Sequence, residues 1–382
     1  MGKFNFDDIA NRRNSYSYKW NIKENDIPMF VADMDYHVFP LIKEEIQKRS
    51  EIDSYGYIYT PKEYFEAYQG WLDRHHHVKV DTSWMVYSTG VIAALCSIMK
   101  HVIPEHSGII LLTPVYHTFS RVIEGYGHKV VSCKLRKVDV CYYIDFEKLE
   151  SLLKDDSNKV FLLCNPHNPI GRIWTKDELK RLLDLCNKYH KLFISDEIHI
   201  DIVDPGYECT SMLSLDNNVI TLLSASKAFN LAGLKSACVI VKNEELRNKI
   251  KDGMMIDNVG APNYFAPIAT IAAYNHGDEW LAELNEYLST NKEYMKNFVE
   301  KEIPLVKIIH GHGTYLIWLD ISYYDKDSTR FANRLREEAG IIVNEGKIFG
   351  DGGEGHIRVN IATSLSNIKE ACNRLKLFFH KY

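Results

Sequence analysis

Five short runs in the middle of the chain are apolar on consecutive positions: GIILLTP (108–114), KVFLLCNP (159–166), KLFISDE (191–197), VITLLSAS (219–226) and SACVIVKN (236–243). A strand wetted on one face alternates apolar and polar residues, whereas a strand covered on both faces reads as an unbroken apolar run. These segments therefore predict strands of a sheet enclosed between helices. Between the second and third lies TKDELKRLLDLCNKYH, where Thr175 and Glu178 have the spacing of a capping box. Strands alternating with amphipathic helices indicate a parallel α/β sheet with helices on both faces. Upstream, MVYSTGVIAALCSIMK (85–100) reads as a short strand running into a helix that opens at Thr89-Gly90-Val91. Beyond residue 275 the pattern changes. Long helical stretches (278–302, 326–339 and 365–380) surround strands near GTYLIWLD (313–320) and HIRVNIA (356–362). A smaller α/β domain is expected there, joined by the N-terminal arm. The expected division is an arm over 1–45, a large domain over 46–275 and a small domain over 276–382.

Composition narrows the function classes. A net charge of −5 over 382 residues argues against a nucleic-acid partner. No apolar run approaches the ~20 residues that span a bilayer. The first twenty residues are polar and charged rather than signal-like, so a cytoplasmic protein is expected. The eight cysteines form no CxxC pair and several lie in apolar runs, as buried free thiols in a reducing compartment do.

Ligands of an open parallel sheet bind beyond the carboxyl ends of its strands. After 109–112 comes Pro114-Val115-Tyr116. After 160–164 come Asn165, Pro166, His167 and Asn168. After 192–195 come Asp196, Glu197 and His199, and after 219–223 come Ser224, Ser226 and Lys227. Gly90 and Val91 at a helix start make a natural phosphate seat. One edge thus gathers a phosphate cradle, an aromatic ring, an amide, a carboxylate and an amine. Each part suits pyridoxal 5′-phosphate. A lysine condenses with its aldehyde, a carboxylate keeps its pyridine nitrogen protonated, an aromatic ring stacks on it, and an amide bonds its 3-oxygen.

Two motifs carry less than they suggest. GDGGEG (350–355) satisfies GxGxxG, but the strand-like HIRVNIA follows it, not a helix, so a loop beside the site is expected. HHH (75–77) invites a metal, yet adjacent histidines cannot all face one ion. A solvated helix end and no metal are expected.

Taken in order, PMFVADMDYHVFP (28–40), YGY (55–57), STGV (88–91), PVYHTF (114–119), LLCNPHNPIGRIWT (162–175), SDEIHID (195–201), SASKAFNLAGLKSA (224–237), WLAELNEYLSTN (280–291), TYLIWLD (314–320) and HIRVNIA (356–362) span nearly the whole chain. The sequence resembles the fold-type I pyridoxal-phosphate enzymes of the class I/II aminotransferase superfamily. Within them it is similar to the cystathionine β-lyase branch of MalY/PatB type, which includes the cystalysin-like C–S lyases. The resemblance implies a mostly parallel seven-stranded sheet in the large domain and a smaller C-terminal α/β domain. It implies Lys227 as the Schiff-base lysine, Asp196 as the pyridinium partner, Asn168 as the 3-oxygen donor and Tyr116 as the stacking ring. Gly90, Val91, Ser224 and Ser226 match phosphate contacts. Lys235 stands where wider-superfamily aminotransferases carry a phosphate-binding arginine, and cannot fork as arginine does. Tyr57 matches a tyrosine lent to the partner subunit's phosphate, with Tyr55 the alternative if the register is off. Arg358 matches the arginine that grips the substrate carboxylate. His199 stands where many aminotransferases have tyrosine, and Ala228 replaces an expected Thr or Ser.

The activity implied is β-elimination from L-cystathionine or other S-substituted L-cysteines, giving a thiol, pyruvate and ammonia. Arg358 holds the carboxylate, with Tyr116 and Asn168 beside the substrate, and Lys227 removes the Cα proton. An aminotransferase shares every step up to the carbanion and is the rival reading; VADMDY (31–36) and His199 favour the lyase. A PLP-binding regulatory protein acting through a protein partner is the reading from another class. A homodimer with shared sites is expected.

Overall fold

The computed structural model describes residues 2–216, 218–309 and 311–381. Its main sheet has seven strands. In spatial order they are Met85–Ser88, Ala237–Ile240, Ile220–Leu223, Leu192–Asp196, Asn158–Cys164, Gly108–Thr113 and Lys129–Lys134. All five apolar runs are strands. The reason they lack alternation is visible in the packing. Ile109 and Leu111 enter one apolar cluster while Ile110 and Leu112 enter another on the opposite face, and Leu162 and Leu163 part in the same way. The fifth run departs from the parallel reading: Ala237–Ile240 is antiparallel to both its neighbours.

The helix between the second and third runs covers Lys176–Lys188, and both halves of its capping box form. Thr175 Oγ1 accepts from the Glu178 N–H at 3.2 Å, and Glu178 Oε2 accepts from the Thr175 N–H at 3.0 Å.

A second sheet of four antiparallel strands has the order Lys307–Ile308, Leu316–Asp320, His356–Asn360 and Asn344–Glu345. The helices Asp278–Glu302, Ser328–Ala339 and Leu365–Phe379 accompany it. The arm joins this part through Ile27–Pro28, which pairs in parallel with Ile341–Ile342. Helix Pro40–Ser50 crosses the expected boundary at residue 45 and packs on Ala266–His276 of the larger part.

The two discounted motifs are explained by the fold. Residues 350–355 connect a 3₁₀ turn to the strand His356–Asn360, with Gly350, Gly352 and Gly355 in the left-handed region that favours glycine. The loop leans on the Thr113–Pro114 corner. The triple histidine ends helix Lys62–His76, but its expected solvation is only partial. His76 turns inward and its Nε2 lies 2.8 Å from Asp201 Oδ1. Among the described residues no group of three or more His, Cys, Asp or Glu side chains could hold a metal, and no helix is long and apolar enough to cross a membrane.

Candidate active site

At the carboxyl ends of the central strands lies a cavity of about 530 Å³. Its wall includes Gly90, Val91, Tyr116, Asn168, Asp196, His199, Ser224, Ser226, Lys227 and Lys235. Ten side chains or backbone positions read from separate segments are thus brought to one place.

Asp196 is the last residue of a strand in the middle of the sheet, flanked by Cys164 and Leu222 on the neighbouring strands. Its carboxylate is buried and, among the described residues, accepts a single local N–H, that of Ile198 at 3.1 Å. Burial pushes this carboxyl up to about 7, against the pull of the Ile198 N–H and the Lys227 charge. An acid so placed suits a cationic partner across the cavity.

Lys227 stands one strand away, on the short helical turn Ala225–Ala228 that follows Ile220–Leu223. Ser224 caps that turn. Its Oγ accepts from the Ser226 N–H at 3.0 Å and donates to the Ser236 carbonyl at 2.6 Å. The lysine Nζ donates to the carbonyl oxygen of Ala32 at 2.6 Å, and so does the Tyr315 hydroxyl, at 3.0 Å. Burial pulls the amine down to about 8. Asp33 and Asp196 raise it, while Arg358 and Lys235 lower it further. An amine near 8 is partly uncharged at neutral pH and so available as nucleophile and base.

The opposite end of the cavity is the start of helix Val91–His101. No side chain caps it and its first turn holds no acid. A Cβ built on the N-cap Gly90 would meet nothing within 4 Å, so the space over the first amides is open. Such a helix end, with Ser226 and Lys235 on the same wall, suits an anionic group. Lys235 reaches the wall from a left-handed backbone, φ 54°, at the end of the turn Ala232–Leu234.

His199 is buried and its Nδ1 has no partner among the described residues. Burial first, then the Lys227 and Arg358 charges, hold the ring neutral. Tyr116 is half-buried, with its ring edge-on to Phe119 at 5.6 Å.

Arg358 comes from the other sheet, on strand His356–Asn360. It is buried outside the cavity wall but joined to it: Nη1 donates to Asn168 Oδ1 at 3.1 Å. Nη2 donates to the Phe30 carbonyl at 2.9 Å and to Asn344 Oδ1 at 2.6 Å. Its Nε is buried with no partner among the described residues. Three of its five N–H donors are engaged among the described residues, and a fixed guanidinium with two donors left is suited to a carboxylate.

Tyr57 is not brought to this cavity within the chain. It is fully exposed, and Tyr55 instead packs its ring on Tyr264 and Phe265. Four contributors escaped the sequence reading. Ala32 and Phe30 act through backbone carbonyls, which no residue type announces. Asn344 comes from a two-residue strand. Tyr315 lies in the quoted stretch TYLIWLD, and only its aromatic type beside a strand could have drawn notice.

The chain is 33% identical over 382 residues to the cystathionine beta-lyase PatB of Bacillus subtilis, covering 97% of this chain and 99% of PatB. A pyridoxal-phosphate-bound protein from Clostridium difficile 630, provisionally named an aminotransferase, superposes with a TM-score of 0.95 at 35% identity, covering 98% of this chain and 100% of that one. The pyridoxal-phosphate-bound C–S lyase of Staphylococcus hominis superposes with a TM-score of 0.92 at 31% identity, covering 98% of each chain. The family model for aminotransferase class I and II matches residues 24–375. With its lysine, carboxylate and arginine disposed on this fold, the chain belongs to the class I and II aminotransferase family.

Proposed function

We propose that this protein is a pyridoxal-phosphate-dependent carbon–sulfur β-lyase that acts on L-cystathionine or related S-substituted L-cysteines. The reading is supported by the likeness to PatB over almost the whole of both chains and to the S. hominis lyase in fold. The observation that carries the chemistry is the meeting of Lys227 and Asp196 on one cavity wall, with the Arg358 guanidinium bonded to that wall through Asn168.

The residues present fit the cofactor. The open helix end at Gly90 and Val91, with Ser226 and Lys235, would hold its phosphate. Ser224 lines the same wall, with its hydroxyl proton given to Ser236. Asp196 would face the ring nitrogen, Tyr116 the ring face, and Asn168 and His199 the 3-oxygen. When bound, pyridoxal phosphate supplies an aldehyde for Lys227 and a ring that takes up the electrons left at the substrate's Cα.

The chain's own residues do the rest. Arg358 binds and orients the substrate carboxylate through its unused donors. Lys227, its amine lowered by burial, takes the proton at Cα. Asp196, held between strands, keeps negative charge where a protonated ring nitrogen needs it. We assign residues 46–275 to cofactor binding, and 276–382 with the arm to carboxylate binding. The protein works as a homodimer in which the exposed Tyr57 reaches the partner's phosphate site.

The test is product analysis. Cofactor-loaded protein given L-cystathionine and no keto acid should release pyruvate, ammonia and homocysteine. Turnover only when a keto acid is added would establish an aminotransferase instead.

A further inference from the structure

Residues 29–36 lie between the two halves of the site, and their backbone is held from both. Asn360 Nδ2 donates to the carbonyls of Val31 and Asp33 at 2.5 and 2.7 Å. Asn230, three residues past Lys227, donates to the carbonyls of Met34 and Tyr36 and accepts from the Met34 N–H. From this segment the Ala32 carbonyl takes the Lys227 amine and the Phe30 carbonyl takes Arg358.

The same segment carries two carboxylates, and residues 12 and 19, earlier in the arm, supply two cations to match. Arg12 Nη2 lies 2.6 Å from Asp33 Oδ2 and its Nη1 lies 3.7 Å from Asp35. Lys19 Nζ lies 3.0 Å from Asp35 and 3.7 Å from Asp33 Oδ1. Trp20 Nε1 also donates to Asp35, at 2.8 Å. The side chains of Lys19 and Asp35 are each 1% exposed. Buried ion pairs contribute little to stability against their desolvation, so a charge-balanced set beside a site, with Lys19 and Asp35 buried and Arg12 and Asp33 partly exposed, asks for another role. Asp33 Oδ1 has no hydrogen-bond partner among the described residues.

We infer that Arg12, Lys19, Asp33 and Asp35 are positioning residues for the reaction. They fix the segment whose carbonyls hold the Lys227 amine and the Arg358 guanidinium, and Arg12 and Lys19 set how much of the Asp33 charge reaches that amine. The role in turnover rests on the lyase reading; the electrostatic part does not. Asp33 follows Ala32, whose carbonyl holds the amine, and its charge is the strongest of those that raise the amine; Asp196 also raises it, while Arg358 and Lys235 lower it. Asp33 in turn faces Arg12 and Lys19 from the arm, and Lys227 and Tyr315 from the site.

The test uses the cofactor-free chain. Lys227 acetylation by acetic anhydride is followed against pH, with the labelled peptide quantified by mass spectrometry. Asp33→Asn removes the opposing charge and should move the labelling midpoint down by about one pH unit. Arg12→Gln exposes the Asp33 charge and should move it up, and Arg12→Lys should return it toward the parent value. Circular dichroism melting establishes that each variant is folded. If Asp33→Asn does not fold, the Arg12→Gln and Arg12→Lys pair carries the test alone. Midpoints that do not move, or that move the same way in Asp33→Asn and Arg12→Gln as general loosening would make them, overturn the inference. Because neither cofactor nor turnover is needed, a chain that failed to eliminate sulfur would still give a readable result.

Discussion

Arg358 and Asn168 lie on different sheets, yet the guanidinium Nη1 donates to the amide oxygen at 3.1 Å. The bond ties the guanidinium, proposed to bind the substrate carboxylate, to the cavity wall. A lysine at 358 keeps a charge but cannot hold Asn168, Asn344 and a substrate carboxylate together. Losing two charge-assisted bonds to the substrate is worth about 3 kcal/mol, so Arg358→Lys should lower kcat/KM roughly a hundredfold. Asn168→Ala should raise KM by about tenfold as the guanidinium loses one anchor. Steady-state kinetics with L-cystathionine check both.

Asp196 gives a stability signature of opposite sign to the catalytic value proposed for it. Its carboxyl in the folded chain sits near 7, above its unfolded value. The folded state therefore holds a proton that the unfolded state releases between about pH 4 and 7, and the cofactor-free chain loses stability as pH rises through that window. Asp196→Asn keeps an oxygen for the Ile198 N–H and has no such loss. Urea melts should show the variant gaining on the parent by an amount on the order of 1–3 kcal/mol between pH 4 and 7.5. Its lyase activity should be nearly abolished.

Tyr57 is exposed and stands outside its own chain's cavity. If it serves the neighbour, Tyr57→Phe and Lys227→Ala subunits should complement. Mixed dimers would contain one site with an intact lysine and an intact tyrosine. Activity should appear when the two weakly active proteins are unfolded together and refolded, and not when they are merely mixed without exchange.

Thr175→Ala provides a control remote from the chemistry. It removes the acceptor for the Glu178 N–H, which should cost about 1 kcal/mol of stability. Thermal melts should register the loss while KM stays unchanged.

Much of this was legible in the sequence because the relevant signals are local. Apolar runs without alternation marked the buried strands, and Thr175 with Glu178 marked a helix start to the residue. The polar side chains that line the cavity stood at strand ends in the sequence, Asp196 and Lys227 among them. The illegible parts depend on long-range placement. Nothing in SACVIVKN distinguishes a strand antiparallel to its neighbours from a parallel one, since both are covered on two faces. Nothing local says that the Ala32 carbonyl would meet an amine 195 positions away. Lys19 falls in the polar first twenty residues and nothing near it announces Asp35 as its partner, yet the two lie 3.0 Å apart with both side chains buried. His76 misled in the same way, its partner Asp201 lying 125 positions along the chain.

The most direct test of the account is borohydride reduction of the protein loaded with pyridoxal phosphate, followed by peptide mapping. One phosphopyridoxyl group per chain should be found, on the peptide carrying Lys227, and none in Lys227→Ala. Label on another lysine with Lys227 left free, or no cofactor retained, would contradict it.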